Sequence, residues 1–331
     1  MRIAVVSTDF VPMQGGIATW AYDVSMALSC FGHEVTVLTR VDSNPQYPFQ
    51  MIKCRGRSWN RHRAKWVGLA SLKILKVDAA LFATWDSALW AAPILKSMGT
   101  HTLCAVHGSE ITQANISENA LIKVGKYIDV WVPVSHFLKK QLRRWLPDCT
   151  STVLPYPFDA QLTPSPHTPS GPLLCAARLI DSKNIPFVIQ LAHELGRQLW
   201  LCGDGPLLSK FKHSATDVHC FGHLARTDVF KKLPQVSAVL LCSKSDSSGY
   251  GAEGFGLCLL EAASYGIPTL GTANGGIPEA LGKGFVIESK SPDYKAIEKY
   301  LNDPHSGQRN WEWYRQNHGR ERFALALEKL L

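Results

Sequence analysis

Glu253-Gly254-Phe255-Gly256-Leu257-Cys258-Leu259-Leu260-Glu261 is the most informative stretch of this sequence, because it joins a polar loop to an apolar helix. The apolar run 238–242 precedes the loop, so the pattern predicts a strand, a glycine-containing loop and then a helix. Glycines let a backbone approach a ligand closely, and the free N–H groups near Gly256 and Leu257 suit a phosphate. Glu261, two turns further on, is able to accept hydrogen bonds from a ribose or sugar diol.

The sequence on both sides of this stretch alternates short apolar runs with segments of helical character. Such alternation favours parallel sheets that are covered by helices on both faces. The candidate strands are 2–7, 34–39, 79–84, 101–106 and 129–134 in the first half, and 173–177, 199–202, 218–221, 238–242, 268–271 and 285–287 in the second. We therefore predict an α/β protein with two facing parallel sheets and a ligand site in the cleft beyond the strands' carboxyl ends.

A proline-rich segment separates the two halves. Residues 155–172 contain six prolines together with serines and threonines, a composition typical of an interdomain linker. A chain of 331 residues is long for one hydrophobic core and comfortable for two. We predict a Rossmann-like domain over 1–154, the linker over 155–172, a second Rossmann-like domain over 173–306 and a closing helix over 307–331.

The composition is that of a folded, soluble protein, with 46% hydrophobic and 19% charged residues. Its nine cysteines occur singly, without a Cys-x-x-Cys pair, which favours reduced thiols in a cytosolic protein over disulfides or a zinc site. No apolar run approaches the length of a membrane span or a signal-peptide core. The net charge of +8 indicates a negatively charged partner, and nucleic acid, anionic lipid and phosphorylated small molecules all qualify.

The stretch 253–261 resembles the E-x7-E signature of retaining GT-B glycosyltransferases, in particular family four, also called glycosyl transferases group 1. Other motifs follow in the order that this family has. Gly15-Gly16, just after the first strand, resembles the family's N-terminal glycine loop, where backbone N–H groups approach the donor phosphates. His107, which opens the run His-Gly-Ser-Glu, resembles the family's histidine near the transferred sugar.

Arg178 and Lys183, at the start of the second domain, resemble the family's pair of diphosphate-binding cations. Two cations neutralise the negative charge that develops on the leaving nucleotide, which is work that a metal ion would otherwise do. Gly203 lies in a run that resembles the family's glycine turn after a strand, and 275–279 matches a later loop of the family.

Each motif also has a purely structural interpretation. Glu253 is then a surface residue beside an ordinary capped helix, and Gly15-Gly16 a turn that caps the helix from Ile17. A lone histidine at a strand end is more often structural, an Arg and Lys pair more often forms exposed salt bridges, and the glycine turns are shaped by the fold alone.

The resemblance covers most of the chain and implies a GT-B fold, with an acceptor domain over 1–154 and a nucleotide-sugar donor domain over 173–306. The closing helix over 307–331 is a candidate to return to the first domain. By the resemblance, Glu253 contacts and orients the transferred sugar, Glu261 holds the ribose, and the anomeric configuration is retained. The catalytic candidates are His107 and Glu253, and the donor-binding candidates are Gly15, Gly16, Arg178, Lys183, Gly203, Phe255, Gly256, Leu257 and Glu261.

We interpret the chain as a hexosyltransferase that moves a sugar from a UDP- or GDP-sugar to a glycan or glycolipid acceptor in the synthesis of surface polysaccharide or lipid-linked saccharide. No Asp-x-Asp motif and no cluster with metal-ligand spacing is present, which favours a mechanism without a metal or another cofactor. The alternatives are an inactive GT-B chain that binds a nucleotide-sugar or serves as a scaffold, and a GT-B nucleotide-sugar epimerase. Its basic segments match no recognised nucleic-acid-binding module.

Two basic segments of the first domain are candidates for docking on the inner face of the cytoplasmic membrane, where each cation contributes about 1 kcal/mol. The first also carries Trp59 and Trp66, and the second is the helix from Ser135, where like charges four residues apart repel one another. The apolar residues Phe137, Leu138, Leu142 and Trp145 of that helix suit either a membrane or the domain core, and a solvated basic face is the alternative. The cations are Arg55, Arg57, Arg61, Arg63, Lys65, Lys139, Lys140, Arg143 and Arg144.

Overall fold

The structure is a computed structural model that describes residues 1–42, 44, 46–54, 76–112, 117–211, 217–245 and 251–331. The chain forms two compact units. Unit 1 comprises Met1–Phe158 and His318–Leu331, and unit 2 comprises Asp159–Asn317.

Unit 1 is built on a six-stranded sheet in the order β3-β2-β1-β4-β5-β6, and every strand pair is parallel. The central strands are buried on both faces, as their runs of valine, isoleucine and alanine predict. The strand order reverses beside β1, so the loops after β1, β4 and β5 lie together at the carboxyl edge. The strands are β1 Arg2–Val6, β2 Glu34–Thr39, β3 Gln50–Lys53, β4 Ala79–Phe82, β5 His101–Val106 and β6 Val130–Pro133.

Helices cover this sheet, and the first of them begins directly after the loop that follows β1. Its buried side chains include Ala18, Ala21, Val24 and Leu28, which recur at helical spacing and face the sheet. The described helices of unit 1 before residue 150 are α1 Gly16–Cys30, α2 Trp85–Ser97, α3 Ser109–Thr112, α4 Glu118–Gly125 and α5 His136–Trp145.

Unit 2 repeats the architecture with a parallel sheet in the order β12-β11-β10-β7-β8-β9. Its strands are β7 Leu173–Ala176, β8 Leu199–Cys202, β9 Val218–Gly222, β10 Ala238–Leu241, β11 Thr269–Thr272 and β12 Phe285–Ile287. The described helices are α6 Ile185–Glu194, α7 Leu208–Phe211, α8 Arg226–Lys232, α9 Leu257–Ser264, α10 Ile277–Leu281, α11 Tyr294–Leu301 and α12 Ser306–Asn317. Short 3₁₀ turns at Asp181–Lys183 and Leu233–Gln235 complete it.

The predicted α/β class with two parallel sheets is confirmed. All eleven predicted strands occur, with ends that shift by two residues or fewer. Strand β3 was missed, because it is a four-residue edge strand whose two end residues are exposed and whose sequence lacks a long apolar run.

The proline-rich segment 155–172 contains no helix or strand. Beyond Phe158 it belongs to unit 2, where the N–H groups of Gln161 and Ser165 donate to the carbonyl oxygens of Ser264 and Tyr265 at 2.9 and 2.8 Å. The backbone at Gln161 and Ser165 is therefore bonded to the end of α9.

The segment 307–331, expected as one closing helix, contains α12 and a second helix, α13 Arg320–Glu328. The helical conformation is interrupted at Gly319, whose φ of 111° is unfavourable for residues with a side chain. Helix α12 belongs to unit 2, whereas α13 belongs to unit 1 and packs against α1.

The two points at which the chain crosses between units are bonded to each other within unit 1. The Tyr156 N–H donates to His318 Nδ1 at 2.9 Å, and the Gly319 N–H donates to the Tyr156 carbonyl at 2.9 Å. The Tyr156 hydroxyl donates to the buried carboxylate of Asp23 on α1 at 3.0 Å. Both crossing segments are thereby fixed to the helix that begins at the glycine loop.

Candidate active site

The carboxyl edge of the second sheet brings together two residues that the sequence places 70 positions apart. Lys183 lies in the turn after β7, Glu253 lies in the loop after β10, and their side chains form an ion pair. Ser243, directly after that strand, donates its hydroxyl to the same Glu253 oxygen at 3.0 Å. Only 15% of the Lys183 side chain and 16% of the Glu253 side chain are exposed, so this charged group is largely shielded from water.

The backbone around Glu253 is held by the loop that follows β11. The Glu253 N–H donates to Asn274 Oδ1 at 2.9 Å, and its carbonyl accepts from the Gly276 N–H at 2.8 Å. A Cβ on Gly275 would lie 2.1 Å from the Glu253 carbonyl oxygen, and one on Gly276 would lie 2.3 Å from that of Gly254. The two glycines are thus required because their backbone packs directly on the glutamate loop.

The glycine turn after β8 supports the loop that carries Arg178 in the same way. A Cβ on Gly203 would lie 1.9 Å from the Ala177 carbonyl oxygen, and one on Gly205 would lie 2.5 Å from that of Leu179. Arg178 itself is exposed. This packing accounts for the glycines without a ligand, and the donor contact at Gly203 stays a prediction.

Glu261 lies within α9 and is engaged by Arg226, the first residue of α8. The Arg226 Nε donates to Glu261 Oε1 at 2.6 Å, with 24% of the arginine and 13% of the glutamate side chain exposed. Sequence reasoning did not find Arg226, because it belongs to no motif and lies 35 residues from its partner.

Gly256, the residue directly before α9, has a left-handed conformation with φ 107°. Glycine offers no side chain to cap the first turn, so the N–H groups at the start of this eight-residue helix lack the usual capping oxygen. Phe255 and Leu257 flank it and are partly exposed. An anion is a favourable partner for such a helix start.

The glycine loop of unit 1 differs from the glycine turns of unit 2. Gly15 and Gly16 are exposed, and a Cβ on either one would meet nothing within 4 Å. Gly15 has φ 125°, a conformation in which a residue with a side chain is strained. No neighbouring atom, however, would clash with a side chain at either position. The backbone at the start of α1 is therefore open to a close approach.

His107 follows β5, and its ring packs edge-to-face on Trp20 of α1, with centroids 4.9 Å apart. Its Nε2 is buried without a hydrogen-bond partner among the described residues. Burial lowers the pKa of His107 to about 4, although a hydrogen bond to the Ala83 backbone acts in the opposite direction. The imidazole is thus neutral near pH 7.

Glu110 shapes the same loop and was not among the predicted site residues. Its carboxylate accepts a hydrogen bond from the His107 N–H. Burial raises the pKa of Glu110, and backbone N–H groups of the loop oppose that rise.

The helix with the second basic segment, α5, exposes Lys140, Arg143 and Arg144, while Lys139 is partly buried. Its apolar side faces the core of unit 1: Leu138 and Leu142 are buried, and Phe137 and Trp145 pack against the same cluster. The Trp145 Nε1 donates to the Ile111 carbonyl at 3.2 Å. These residues therefore do not offer an apolar membrane surface. The cations of the first segment, Arg55, Arg57, Arg61, Arg63 and Lys65, lie outside the described residues, as do Trp59 and Trp66.

Across the part of the chain that the structure describes, no three His, Cys, Asp or Glu side chains are arranged to hold a metal ion. The nine cysteines are all free, and burial raises the pKa of Cys175 and Cys242 to about 12. Within the same described ranges, no helix has the length and apolar character needed to cross a bilayer.

Comparison with protein families assigns both halves of the chain. Residues 168–317 match the family described as glycosyl transferases group 1, and residues 14–162 match glycosyltransferase family 4. The chain is a glycosyltransferase of family four. Recognition of the family from the sequence is thereby confirmed, as is the prediction of a hexosyltransferase enzyme.

Related proteins of known activity are mannosyl- and N-acetylglucosaminyltransferases. A GDP-mannose-dependent alpha-(1-6)-phosphatidylinositol monomannoside mannosyltransferase of Mycolicibacterium smegmatis is 25% identical over 93% of this chain and 94% of its own length. A GDP-mannose-dependent mannosyltransferase of Corynebacterium glutamicum, which acts on the monoacylated form, is 24% identical over 66% of this chain and 65% of its own length. A component of the phosphatidylinositol N-acetylglucosaminyltransferase of Arabidopsis thaliana is 26% identical over 91% of this chain and 74% of its own length.

Solved structures place this glycosyltransferase in the GT-B fold. HepE of Anabaena, in complex with UDP and glucose, aligns with a TM-score of 0.78 at 13% identity, over 99% of this chain and 98% of that one. Sucrose-phosphate synthase of Thermosynechococcus elongatus aligns with a TM-score of 0.78 at 17% identity, again over 99% and 98%. At these identities the likeness concerns the fold, and the GT-B architecture implied by the motifs is confirmed.

Proposed function

We propose that this family-four glycosyltransferase moves a hexosyl group from a UDP- or GDP-sugar to a glycolipid or glycan acceptor, with retention of configuration and without a metal ion. The observation that carries the proposal is the shielded cluster of Lys183, Glu253 and Ser243 at the carboxyl edge of the second sheet. Two relatives that use GDP-mannose and act on phosphatidylinositol glycolipids support a GDP-sugar donor and a lipid-linked acceptor.

The cations supply the charge that this reaction needs. Lys183 and Arg178 lie in the loop after β7, and the start of α9, which has no side-chain cap, offers N–H groups at the end of the loop after β10. As the bond between the sugar and the diphosphate breaks, negative charge grows on the leaving phosphate, and these groups stabilise it. Glu253 then orients the sugar, and Glu261 binds the ribose. The acceptor hydroxyl forms the new bond on the face from which the diphosphate departs, and its proton passes to the leaving phosphate oxygen.

His107 contributes a neutral imidazole to the sugar side of this reaction. Because its pKa is about 4, it exchanges no proton near pH 7 and acts by hydrogen bonding through Nε2. We assign the exposed backbone at Gly15 and Gly16 to a close approach of the donor phosphates. Both assignments extend the family resemblance.

The first experiment is a thermal-shift screen with UDP, GDP and their common sugar conjugates, with EDTA present. A ligand that binds only the folded protein raises its melting temperature, by an amount equivalent to about 2.7 kcal/mol at 100 times Kd. We expect one nucleotide family to stabilise the protein without metal, with Lys183→Ala reducing the shift. No shift at millimolar concentration would favour an inactive scaffold, and donor isomerisation without transfer would favour an epimerase.

We further propose that the basic face of unit 1 docks on the anionic cytoplasmic face of a membrane, which would bring a lipid-linked acceptor to the enzyme. The exposed cations of α5 supply electrostatic attraction alone, since the apolar side of that helix is packed in the core. Binding should therefore be sensitive to salt.

Vesicles that contain anionic lipid test this docking. Charge reversal at Lys139, Lys140, Arg143 and Arg144 should abolish sedimentation with vesicles at low salt, while the same change at four exposed lysines of unit 2, Lys283, Lys290, Lys295 and Lys299, is the matched control. Equal loss in both variants would mean that net charge alone, rather than this face, drives binding.

A further inference from the structure

The ion pair between Arg226 and Glu261 joins two elements of unit 2 that no sequence motif connects. Arg226 begins α8, after the edge strand β9, whereas Glu261 lies in the middle of α9. The distance of 2.6 Å from Nε to Oε1 is that of a charge-assisted hydrogen bond. Both side chains are mostly buried, so the pair is protected from screening by water.

An aromatic pair holds Arg226 in this position. Its guanidinium carbon lies 5.1 Å from the ring centroid of Phe230, one turn further along α8. That ring packs on Tyr265, the residue directly after α9, with centroids 5.0 Å apart. Two contacts therefore connect α8 with α9 and the residue that follows it: the ion pair between Arg226 and Glu261, and the ring contact between Phe230 and Tyr265.

A carboxylate has about four lone-pair positions, and the arginine Nε uses one of them. The contact fixes the rotamers of the glutamate, which would otherwise have to be ordered when a ligand binds. A carboxylate held in one orientation recognises two neighbouring hydroxyls, because each hydroxyl must meet a lone pair at a defined position.

We propose that Arg226 is a positioning residue that orients Glu261 toward the ribose diol, and that it thereby makes the donor site select ribonucleotides over 2′-deoxyribonucleotides. This inference rests on the proposed function, which assigns the ribose to Glu261. A site built to hydrogen-bond a hydroxyl rejects an analogue that lacks it, because its own polar group then loses a partner.

Calorimetric titration of the full chain in EDTA tests the proposal, with GDP and UDP compared with their 2′-deoxy counterparts. For the nucleotide that binds the wild type, we expect the ribo form to bind at least 10-fold more tightly than the deoxy form. Glu261→Gln and Arg226→Gln should each reduce this ratio to about 2-fold, by weakening the ribo form while the deoxy form is unchanged. Arg226→Met, which keeps the apolar stem over Phe230, is a second variant in case the glutamine variant folds poorly. It should reduce the ratio in the same way.

Two further variants separate positioning from general stability. The double variant of Arg226 and Glu261 should show the same ratio as Glu261→Gln alone, since the arginine acts only through the glutamate. Lys231→Gln removes a cation from the same helix, whose pair with Asp228 is exposed, and should leave the ratio at the wild-type value.

The outcomes distinguish failure of the inference from failure of the proposed function. If Glu261→Gln loses the discrimination and both Arg226 variants keep it, the positioning role is wrong and the donor site stands. A wild-type ratio in Glu261→Gln would remove the ribose assignment and the inference with it. If neither GDP nor UDP binds the wild type, the proposed function fails, and this inference falls too.

Discussion

Replacement of Glu253 by glutamine should tighten the binding of a nucleoside diphosphate while it lowers sugar transfer. Lys183 is paired with Glu253 in the structure, so a diphosphate has to compete for this cation with a neighbouring carboxylate. Glutamine removes the competing charge but keeps an oxygen that can accept the Ser243 hydrogen bond. A residue that merely bound the donor would have the opposite effect on affinity.

The magnitude follows from the exposure of the pair. A hydrogen bond between charged groups contributes about 1.5–3 kcal/mol, and solvent screening is limited here because 15% and 16% of the two side chains are exposed. Lys183 can share its three N–H donors, so roughly half of this energy, about 1.1 kcal/mol, should appear as tighter binding, which is about 6-fold in Kd. Loss of a charge that orients the sugar should reduce turnover by about 100- to 1000-fold.

Calorimetry with GDP and UDP gives the affinity, and release of the nucleotide from its sugar conjugates gives the turnover. Asp181→Asn is the matched control, because Asp181 also carries a carboxylate in the loop of Lys183, but it is exposed and pairs with Lys244 at 3.0 Å. That control should change Kd by less than about 2-fold. Equal or weaker nucleotide binding in Glu253→Gln would refute the competition, and undiminished transfer would remove Glu253 from the site.

Two other predictions concern stability. Gly203→Ala should lower the free energy of unfolding by roughly 3 kcal/mol or more, because the new Cβ would lie 1.9 Å from the Ala177 carbonyl oxygen. Gly196→Ala is the control: Gly196 has a positive φ but open space around it, so this variant should lose only about 1 kcal/mol. Similar melting temperatures for the two variants would contradict this prediction. Burial lowers the pKa of His107 and of His318 to about 4, so the unfolded chain binds more protons than the folded chain below pH 6.5. The free energy of unfolding should therefore fall as the pH drops toward 4, by up to about 1.4 kcal/mol per pH unit for each histidine. Urea unfolding between pH 7.5 and 4.5 measures this slope. If a His318→Asn variant has the same slope as the wild type, His318 does not contribute to the pH dependence.

The sequence predicted the fold well because parallel strands that are buried on both faces leave a continuous apolar pattern. Short runs such as 199–202 and 285–287 carried enough of this pattern to be found, whereas β3 at the sheet edge did not. The break at Gly319 was also missed, since a single glycine within a helical pattern does not by itself end a helix.

Contacts across long sequence distances account for what the sequence did not reveal at the candidate site. Arg226 at the start of α8 contacts Glu261 of α9, and Trp20 of α1 contacts His107 after β5, although both pairs are far apart in the sequence. Amphipathic spacing in α5 did not decide between core and membrane for Trp145, and its packing on the core of unit 1 does. Such choices depend on the neighbours that a segment meets after folding.

The most direct test of the account is transfer of labelled sugar from UDP- and GDP-sugars to vesicles that carry a phosphatidylinositol glycolipid, in EDTA, with the product's anomeric configuration determined by NMR. We predict labelled glycolipid from one donor, with the donor's configuration retained and with transfer largely lost in Glu253→Gln. An inverted product would contradict the retaining mechanism. Absence of transfer from every donor to glycolipid or free glycan acceptors would contradict the central claim.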